Sequence, residues 1–321
     1  MPLKASKFIW HEGKLVPWEQ ATVHVLSHAL HYGSSVFEGI RVYKTPTGAA
    51  GFRLTDHVRR LYHSAKIYRI KIPYASDALV TACRDVVREN GLLGGAYIRP
   101  IAFRGYGEMG VAGNIEQPAS VSVAAWEWGS YLGEGVLDQG VDVCVSSWQR
   151  VAPNTVPALA KAGGNYLSSA LVTLEARRLG FAEGLALNTA GFVSEGAGEN
   201  LFLVQNGKLY TPPVASSILS GITRDTVIRL AEAAGLTVLE QNLPRELLYI
   251  ADEVFLTGTA AEITPVRSVD KILVGEGKRG PITERLQKAF FGLFDGSTKD
   301  QWGWLEPIAD QKVGRTRPVA V

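Results

Sequence analysis

Three stretches of the sequence hold residues whose types and neighbours could do chemistry together. The first is Pro153-Asn-Thr-Val-Pro-Ala-Leu-Ala-Lys161-Ala-Gly-Gly-Asn165-Tyr166. Prolines before Lys161 and glycines after it keep the backbone out of regular helix or strand and let other groups approach the amine closely. A lysine placed this way suits covalent chemistry as a nucleophilic amine; a solvated loop lysine is the ordinary alternative. The second stretch is Phe192-Val-Ser-Glu195-Gly-Ala-Gly-Glu-Asn200. Small residues on both sides of Glu195 leave room for a flat ring against the backbone and a carboxylate at its edge. A polar glycine-rich turn is the competing reading. The third, Leu219-Ser-Gly221-Ile-Thr223-Arg-Asp225, runs straight into a helical pattern. Free N–H groups at a helix start plus a threonine hydroxyl make an anion site, or simply a cap. Gly258-Thr259-Ala260 offers further donors at a strand end, and Arg60 is a candidate for a bidentate phosphate contact. An amine, an anion and a phosphate cup are what an aldehyde cofactor with a pyridine ring and a phosphate requires. The carboxylate would keep the ring nitrogen protonated and the ring an electron sink.

The elements that must position these residues follow from periodicity. In the first half, strands are expected at Phe8–Trp10 and Leu15–Val16 around a Glu12-Gly13 turn, then at 20–25, 35–44, 96–104 and 119–128. Helices are expected from Thr55 or Asp56 to Arg69 and from Asp77 to Asn90. The second is apolar at Leu79, Ala82, Cys83, Val86 and Val87 and closes at Gly91. Strands with a pair of helices make this half an α+β domain. The glycine-rich run Gly129-Ser-Tyr131-Leu-Gly133-Glu-Gly135 is the best boundary, giving domains over 1–130 and 138–321 joined by a loop at 131–137. Beyond it, a strand over 141–148 precedes the Lys161 loop. Asn165 is placed to cap a helix that carries Leu167, Leu171 and Leu174 and stops at Gly180. Strand pieces at 184–188 and 200–204 lead to an Asn206-Gly207 hairpin turn. Then come a helix over 224–234, strands at 237–240 and 253–257, strands around 268–274, a short helix near 244–250 and a last helix over 281–294. Residues after Pro307 read as a mobile tail.

Composition excludes several classes. A chain that is 46% hydrophobic and 20% charged is an ordinary soluble globular protein. A net charge of +2 gives no electrostatic reason to expect nucleic acid or a membrane as partner. The longest apolar runs are strand-sized, far below the ~20 residues that span a bilayer. The N-terminal Met-Pro-Leu-Lys-Ala-Ser-Lys lacks a secretion signal's apolar core. Cys83 and Cys144 read as reduced structural cysteines of a cytoplasmic protein. Two motif matches are set aside. Gly105-Tyr-Gly107-Glu-Met-Gly110 fits a dinucleotide fingerprint, but Val111-Ala-Gly113-Asn114 breaks the helix that must follow. His24, His28 and His31 would share one helix face and could ligate zinc, but Thr22–Val25 has strand character and Gly33 follows closely. Packing or polar contacts at a turn are the expectation for them, and no metal is.

Taken together and in order, the motifs resemble class IV, fold-type IV pyridoxal-phosphate aminotransferases. The resemblance rests on Lys161-Ala-Gly-Gly-Asn-Tyr166, the segment 194–202, Gly221-Ile-Thr-Arg-Asp225 and Gly258-Thr-Ala-Ala-Glu-Ile-Thr-Pro265. His28-Ala-Leu-His-Tyr32-Gly, Val36-Phe37-Glu-Gly-Ile-Arg41, Ala96-Tyr97-Ile-Arg99-Pro100 and Pro153-Asn-Thr-Val-Pro157 are similar to the bacterial branched-chain amino acid aminotransferases. The likeness runs from about Phe8 to Trp302-Gly-Trp304. It implies two domains, a small α+β N-terminal one and a larger C-terminal one with a mixed, barrel-like sheet. It implies pyridoxal 5′-phosphate, and ping-pong transamination of leucine, isoleucine or valine with 2-oxoglutarate to give branched 2-oxo acids and L-glutamate. Lys161 is then the Schiff-base lysine and general acid/base, Glu195 pairs with the ring nitrogen, and Tyr166 bonds the ring hydroxyl. Leu219 and Gly221 belong to the cofactor site, and Arg60, Ile222, Thr223 and Thr259 hold the phosphate. Phe37, Tyr97 and Tyr131 line the side-chain pocket. The Thr259 and Ala260 amides with Tyr97 hold the α-carboxylate. Arg99, with the partner subunit's Tyr32 and the partner subunit's Val111, meets the glutamate side chain. A homodimer follows, with association of dimers into a hexamer left open. D-amino-acid transamination and the β-elimination of aminodeoxychorismate lyases are alternatives on the same fold; the Tyr97-Ile-Arg99 pattern speaks against the first. A non-catalytic cofactor-binding protein is the alternative of another class, and Lys161, Glu195 and Tyr166 together speak against it.

Overall fold

The computed structural model describes residues 3–129 and 135–308. Two curled sheets organise it. The first takes β1 (Phe8–His11), β2 (Lys14–Pro17), β3 (Ser35–Phe37), β4 (Ile40–Thr45), β5 (Gly48–Phe52), β6 (Ala96–Phe103) and β7 (Ser120–Glu127). Helix α1 (His28–Tyr32) lies between β2 and β3, and α2 (Leu54–Ile67) and α3 (Ser76–Glu89) lie between β5 and β6. Past α4 (Val136–Gln139) come β8 (Val141–Val145), α5 (Tyr166–Arg178), β9 (Glu183–Leu187), β10 (Val193–Gly196), β11 (Asn200–Gln205) and β12 (Lys208–Thr211). The second half ends with α6 (Ile222–Ala233), β13 (Val238–Glu240), α7 (Leu247–Ile250), β14 (Glu253–Gly258), β15 (Glu262–Val269), β16 (Ile272–Leu273) and α8 (Pro281–Asp295). The chain then returns to its first sheet, where β17 (Leu305–Pro307) pairs with β5.

The first sheet runs β17-β5-β4-β6-β7-β1-β2, with β3 on β6. The second runs β10-β9-β8-β15-β14-β11-β12-β13, with β16 on β15. It is mixed, because β8 pairs parallel with both β9 and β15 while β14 pairs antiparallel with β11 and β15. Helix α3 buries the predicted stripe of Leu79, Ala82, Cys83, Val86 and Val87, and Val80 beside it, in the core under the first sheet. Phe202 and Phe255, stacked at 5.1 Å, centre the second core with Phe290 of α8. Asn206 (φ 52) and Gly207 (φ 71) turn the β11–β12 hairpin with both central residues left-handed, as the Asn-Gly pair predicts.

Several expectations need correction. Residues 20–25 form no strand, and Val23, Val25 and Leu26 stay exposed for want of a sheet neighbour. The expected strand 35–44 is broken at Glu38-Gly39 into β3 and β4. Asn165 caps nothing with its side chain; its amide instead donates to the Pro157 and Ala160 carbonyls, fastening the loop before Lys161. The leucine stripe of α5 faces outward, while Ser169, Val172 and Ala176 pack inward. Ile308, assigned to the tail, is fully buried and donates its N–H to Ala49 O at 2.9 Å.

Candidate active site

Lys161 is fixed through its backbone before its side chain does anything. Its N–H donates to Ser64 Oγ of α2 at 3.0 Å, and its carbonyl accepts from the Phe37 N–H of β3 at 3.0 Å. The loop is thereby stitched between a helix and a strand of the first sheet. Nζ donates to the Tyr166 hydroxyl at 2.6 Å, and the Phe37 ring packs 4.9 Å from the Tyr166 ring. Lys161 and Tyr166 both line one concave cleft, shared with Glu195, Thr223 and Thr259.

One end of this cleft is anionic. Glu195 of β10 is buried and meets Arg150 at 2.7 Å, while its other oxygen accepts from the Asn200 side chain and the Leu219 N–H, both at 3.0 Å. Burial pushes its carboxyl above the ordinary range, and Arg150 partly offsets this. Asn200 also donates to Leu219 O at 2.9 Å, so it aims Glu195 and anchors the next segment at once. Any side chain at Gly221 would run into the Asn200 amide, which is why a glycine stands there.

The other end suits an anion from outside. Gly221, Ile222 and Thr223 line the cleft, and α6 begins at Ile222 with no side-chain cap, leaving first-turn N–H groups for a ligand. Arg60 reaches this end from α2. Its Nε and Nη2 bond both oxygens of Glu38, at 2.6 and 2.8 Å, and Nη1 donates to Ser220 O at 2.9 Å. The fork edge is therefore spent on Glu38, which leaves the Nη1–Nη2 end for the cleft. Burial works against charge on Glu38, but Arg60 and a bond from His57 at 2.7 Å outweigh it and hold the carboxyl far below the usual range. Thr259 completes the lining from the turn after β14.

A second, aromatic compartment adjoins at Phe37. The Arg99 guanidinium lies 4.8 Å from the Phe37 ring centre, 5.4 Å from Tyr97 and 5.8 Å from Trp126. Its Nε is buried without a hydrogen-bond partner among the described residues. Gly39 gives the Tyr97 hydroxyl its space; a methyl group there would overlap it. Tyr32 and Val111 are not brought to this chain's cleft. They are 44% and 87% exposed, with the Tyr32 ring tilted against that of His28, centres 4.5 Å apart. His28 bonds Ser34 and Gly110 O, and His31 bonds Val25 O, so these histidines organise a turn. Tyr131 lies outside the described residues.

The family model for amino-transferase class IV matches residues 35–269. The chain belongs to the class IV aminotransferases. The branched-chain-amino-acid aminotransferase of Salmonella typhimurium is 59% identical over 308 residues, covering 96% of this chain and 99% of the relative. A crystal structure of the Escherichia coli branched-chain amino acid aminotransferase superposes with a TM-score of 0.94 at 58% identity, covering 95% of this chain and all of that one. A branched-chain amino acid aminotransferase from Thermobaculum terrenum, solved in its pyridoxal-phosphate form, matches at 37% identity and TM-score 0.87, covering 95% and 99% of the two chains. The fold-type IV architecture implied by the motifs is thus the fold observed.

Aminotransferases of this class depend on pyridoxal 5′-phosphate, and the donor set here fits it. An amine and a phenol sit side by side, a buried carboxylate with its own arginine faces them, and an uncapped helix start waits at the far end. Sequence reasoning missed the residues that act through these. Arg150, Glu38 and Ser64 each meet a site residue distant in the chain, and no local pattern announces that. Asn200 was visible inside its motif but had no assigned task. Glu199, also lining the cleft, is pushed up to about 8 by burial and by its neighbour Glu183.

Proposed function

We propose that this aminotransferase exchanges the amino group of leucine, isoleucine or valine with 2-oxoglutarate, in two half-reactions that share one site. The observation that carries the reading is the pairing of Lys161 Nζ with Tyr166 at 2.6 Å, between an anion-ready helix start and the Arg150-backed Glu195. The names and high identity of the relatives support the branched-chain assignment. Pyridoxal 5′-phosphate, when bound, supplies an aldehyde for the amine and a ring that takes up electrons from the substrate Cα.

The chain's own groups do the rest. Lys161 Nζ takes the Cα proton and returns it on the other side of the exchange, as general base and then general acid. Tyr166 receives a hydrogen bond from Nζ and is placed for the ring hydroxyl. Glu195 holds the proton of the ring nitrogen. Arg60, Ile222, Thr223 and Thr259 take the phosphate, with Leu219 and Gly221 shaping that end. The Thr259 and Ala260 amides, with Tyr97, take the substrate α-carboxylate. Phe37, Tyr97 and Tyr131 form apolar walls for a branched side chain, and Arg99 answers the second carboxylate of glutamate. Its cushion of three rings supports this double use, since cation–π contact compensates a guanidinium that has no carboxylate beside it among the described residues. The partner subunit's Tyr32 and the partner subunit's Val111 close the pocket, so the working unit is at least a homodimer. No described helix is long and apolar enough to cross a membrane, and both cysteines are free and buried, which supports a cytoplasmic setting.

The test is a single-turnover absorbance titration of purified protein carrying its cofactor. L-leucine, L-isoleucine, L-valine and L-glutamate are expected to convert the pyridoxal band to the pyridoxamine band, and their D-enantiomers are not. A response to D-amino acids, or protein that retains no pyridoxal chromophore, would overturn the reading.

A further inference from the structure

Strands β14 and β15 pair up to Gly258 opposite Glu262, leaving Thr259-Ala260-Ala261 as a three-residue connection. Where a hairpin connection needs a residue in the left-handed conformation, glycine is the natural occupant. Here it is Glu262, with φ 56. A non-glycine residue held there asks what its side chain does in return. That side chain leaves its own sheet and crosses to the other one. Its Oε1 accepts from the Tyr43 hydroxyl at 2.8 Å and lies 3.3 Å from Arg41 Nη2, both partners belonging to β4. The carboxylate and the guanidinium are each 13% exposed, so solvent screens this contact little. Tyr43 is itself immobilised, stacked at 3.6 Å and 7° on Phe294 of α8. Burial and the neighbouring carboxylate push its phenol well above the usual range, keeping it a donor.

The rest of the turn is braced as well, because Thr264 Oγ1 donates to Ala261 O at 2.6 Å. The strand that grips Glu262 also sets Tyr97, since Arg41 is its cross-strand neighbour and Gly39 makes room for its hydroxyl. One rigid frame thereby fixes the turn's amides and the Tyr97 hydroxyl relative to each other. We propose that Glu262 is a positioning residue: by gripping Tyr43 and Arg41 across the sheet-to-sheet boundary it sets the 259–261 turn and Tyr97 into a single carboxylate cradle. The inference rests on the assignment of that cradle to the substrate α-carboxylate.

Glu262→Gly provides the test, because glycine removes the grip while relieving the backbone. The probe is 4-methylpentanoate, a branched carboxylate with no amine, titrated calorimetrically into holoenzyme alongside steady-state kinetics. Its Kd and the KM for both substrates are expected to rise about tenfold, about 1.4 kcal/mol. The kcat is expected to stay within about twofold and the melting temperature not to fall. Glu262→Gln, which keeps an acceptor for Tyr43, is expected to recover most of the affinity. A purely conformational role for residue 262 predicts unchanged or tighter binding by the glycine variant, and that result overturns the proposal. A kcat loss with unchanged Kd overturns it too. If Glu262→Gly does not fold, Tyr43→Phe applies the same criteria with residue 262 intact. Failure of the wild type to turn over L-leucine with 2-oxoglutarate would instead overturn the proposed reaction, and the proposal with it.

Discussion

Lys161 and Glu195 stood out from sequence only as candidates, through glycines and small residues beside a reactive type, until the family resemblance gave them roles; the structure lines one cleft with both. Arg150 did not stand out, because its importance is a distance of 2.7 Å to a carboxylate of β10, far along the chain. Glu38 escaped for the same reason: it stood in a quoted motif, yet only folding brings α2 and Arg60 to it. Glu199 shows how much a residue's behaviour depends on burial. Its ordinary value of 4.5 is raised to about 8, chiefly by burial and then by Glu183. The folded chain keeps a proton that the unfolded chain releases across that window, so it binds more protons there and stability falls as pH rises. The contribution is fully present below about pH 4.5 and lost as pH passes about 8, with a slope of up to ~1.4 kcal/mol per pH unit for one proton. Glu199→Gln, neutral throughout, is expected to flatten this slope. Urea unfolding of both proteins from about pH 5 to pH 8 measures it, and parallel curves would count against a protonated Glu199.

At the level of elements, the sequence read core-facing helices well and outward-facing apolar ones poorly. The stripe of α3 packs as its period requires. The leucines of α5 share that period but lie on the open side, Leu167 being 74% exposed, because small residues let the opposite face approach β9 closely. Periodicity reports that a helix has an apolar face, not which neighbour will cover it. Residues 20–25 failed for a related reason: they have strand character, but among the described residues they pair with no strand. Helix α2 adds something periodicity does not express. Arg60 and Ser64 are one turn apart and so share a face, one reaching the anion end of the cleft and the other holding the Lys161 N–H. The helix therefore spaces the lysine from the end proposed for the phosphate. Ser64→Ala leaves that N–H without its partner and is expected to cost about 1–3 kcal/mol of stability. Retention of cofactor should weaken in parallel, as measured by denaturation of the apoprotein and by dialysis of the holoprotein. Unchanged values in both would show that the hydroxyl is dispensable.

For the whole molecule, the unburied apolar surface is the feature one chain leaves unexplained. Val23, Val25, Leu26, Leu30 and Tyr32 stand exposed on one segment, and Tyr106, Met109, Val111 and Ile115 on the loop beside it. The two are joined by the His24–Tyr106 ring contact at 4.6 Å and by His28 bonded to Gly110 O. Soluble monomers rarely present so large an apolar patch, which is in keeping with the proposed homodimer. The proposed site sharing makes a sharp prediction. If each site takes Lys161 from one chain and Tyr32 from the other, Lys161→Ala and Tyr32→Ala proteins are each impaired alone in the glutamate half-reaction. In a mixed dimer, the Tyr32→Ala chain supplies Lys161 and the Lys161→Ala chain supplies Tyr32, so one of the two sites is whole. Dissociating and reassociating equal amounts then makes about half of the dimers hybrid and restores about a quarter of wild-type activity per chain. If Tyr32 instead served its own chain's lysine, every site in the mixture would still lack one residue. Mixing would restore nothing, and light scattering beside the assay would establish that hybrids had formed.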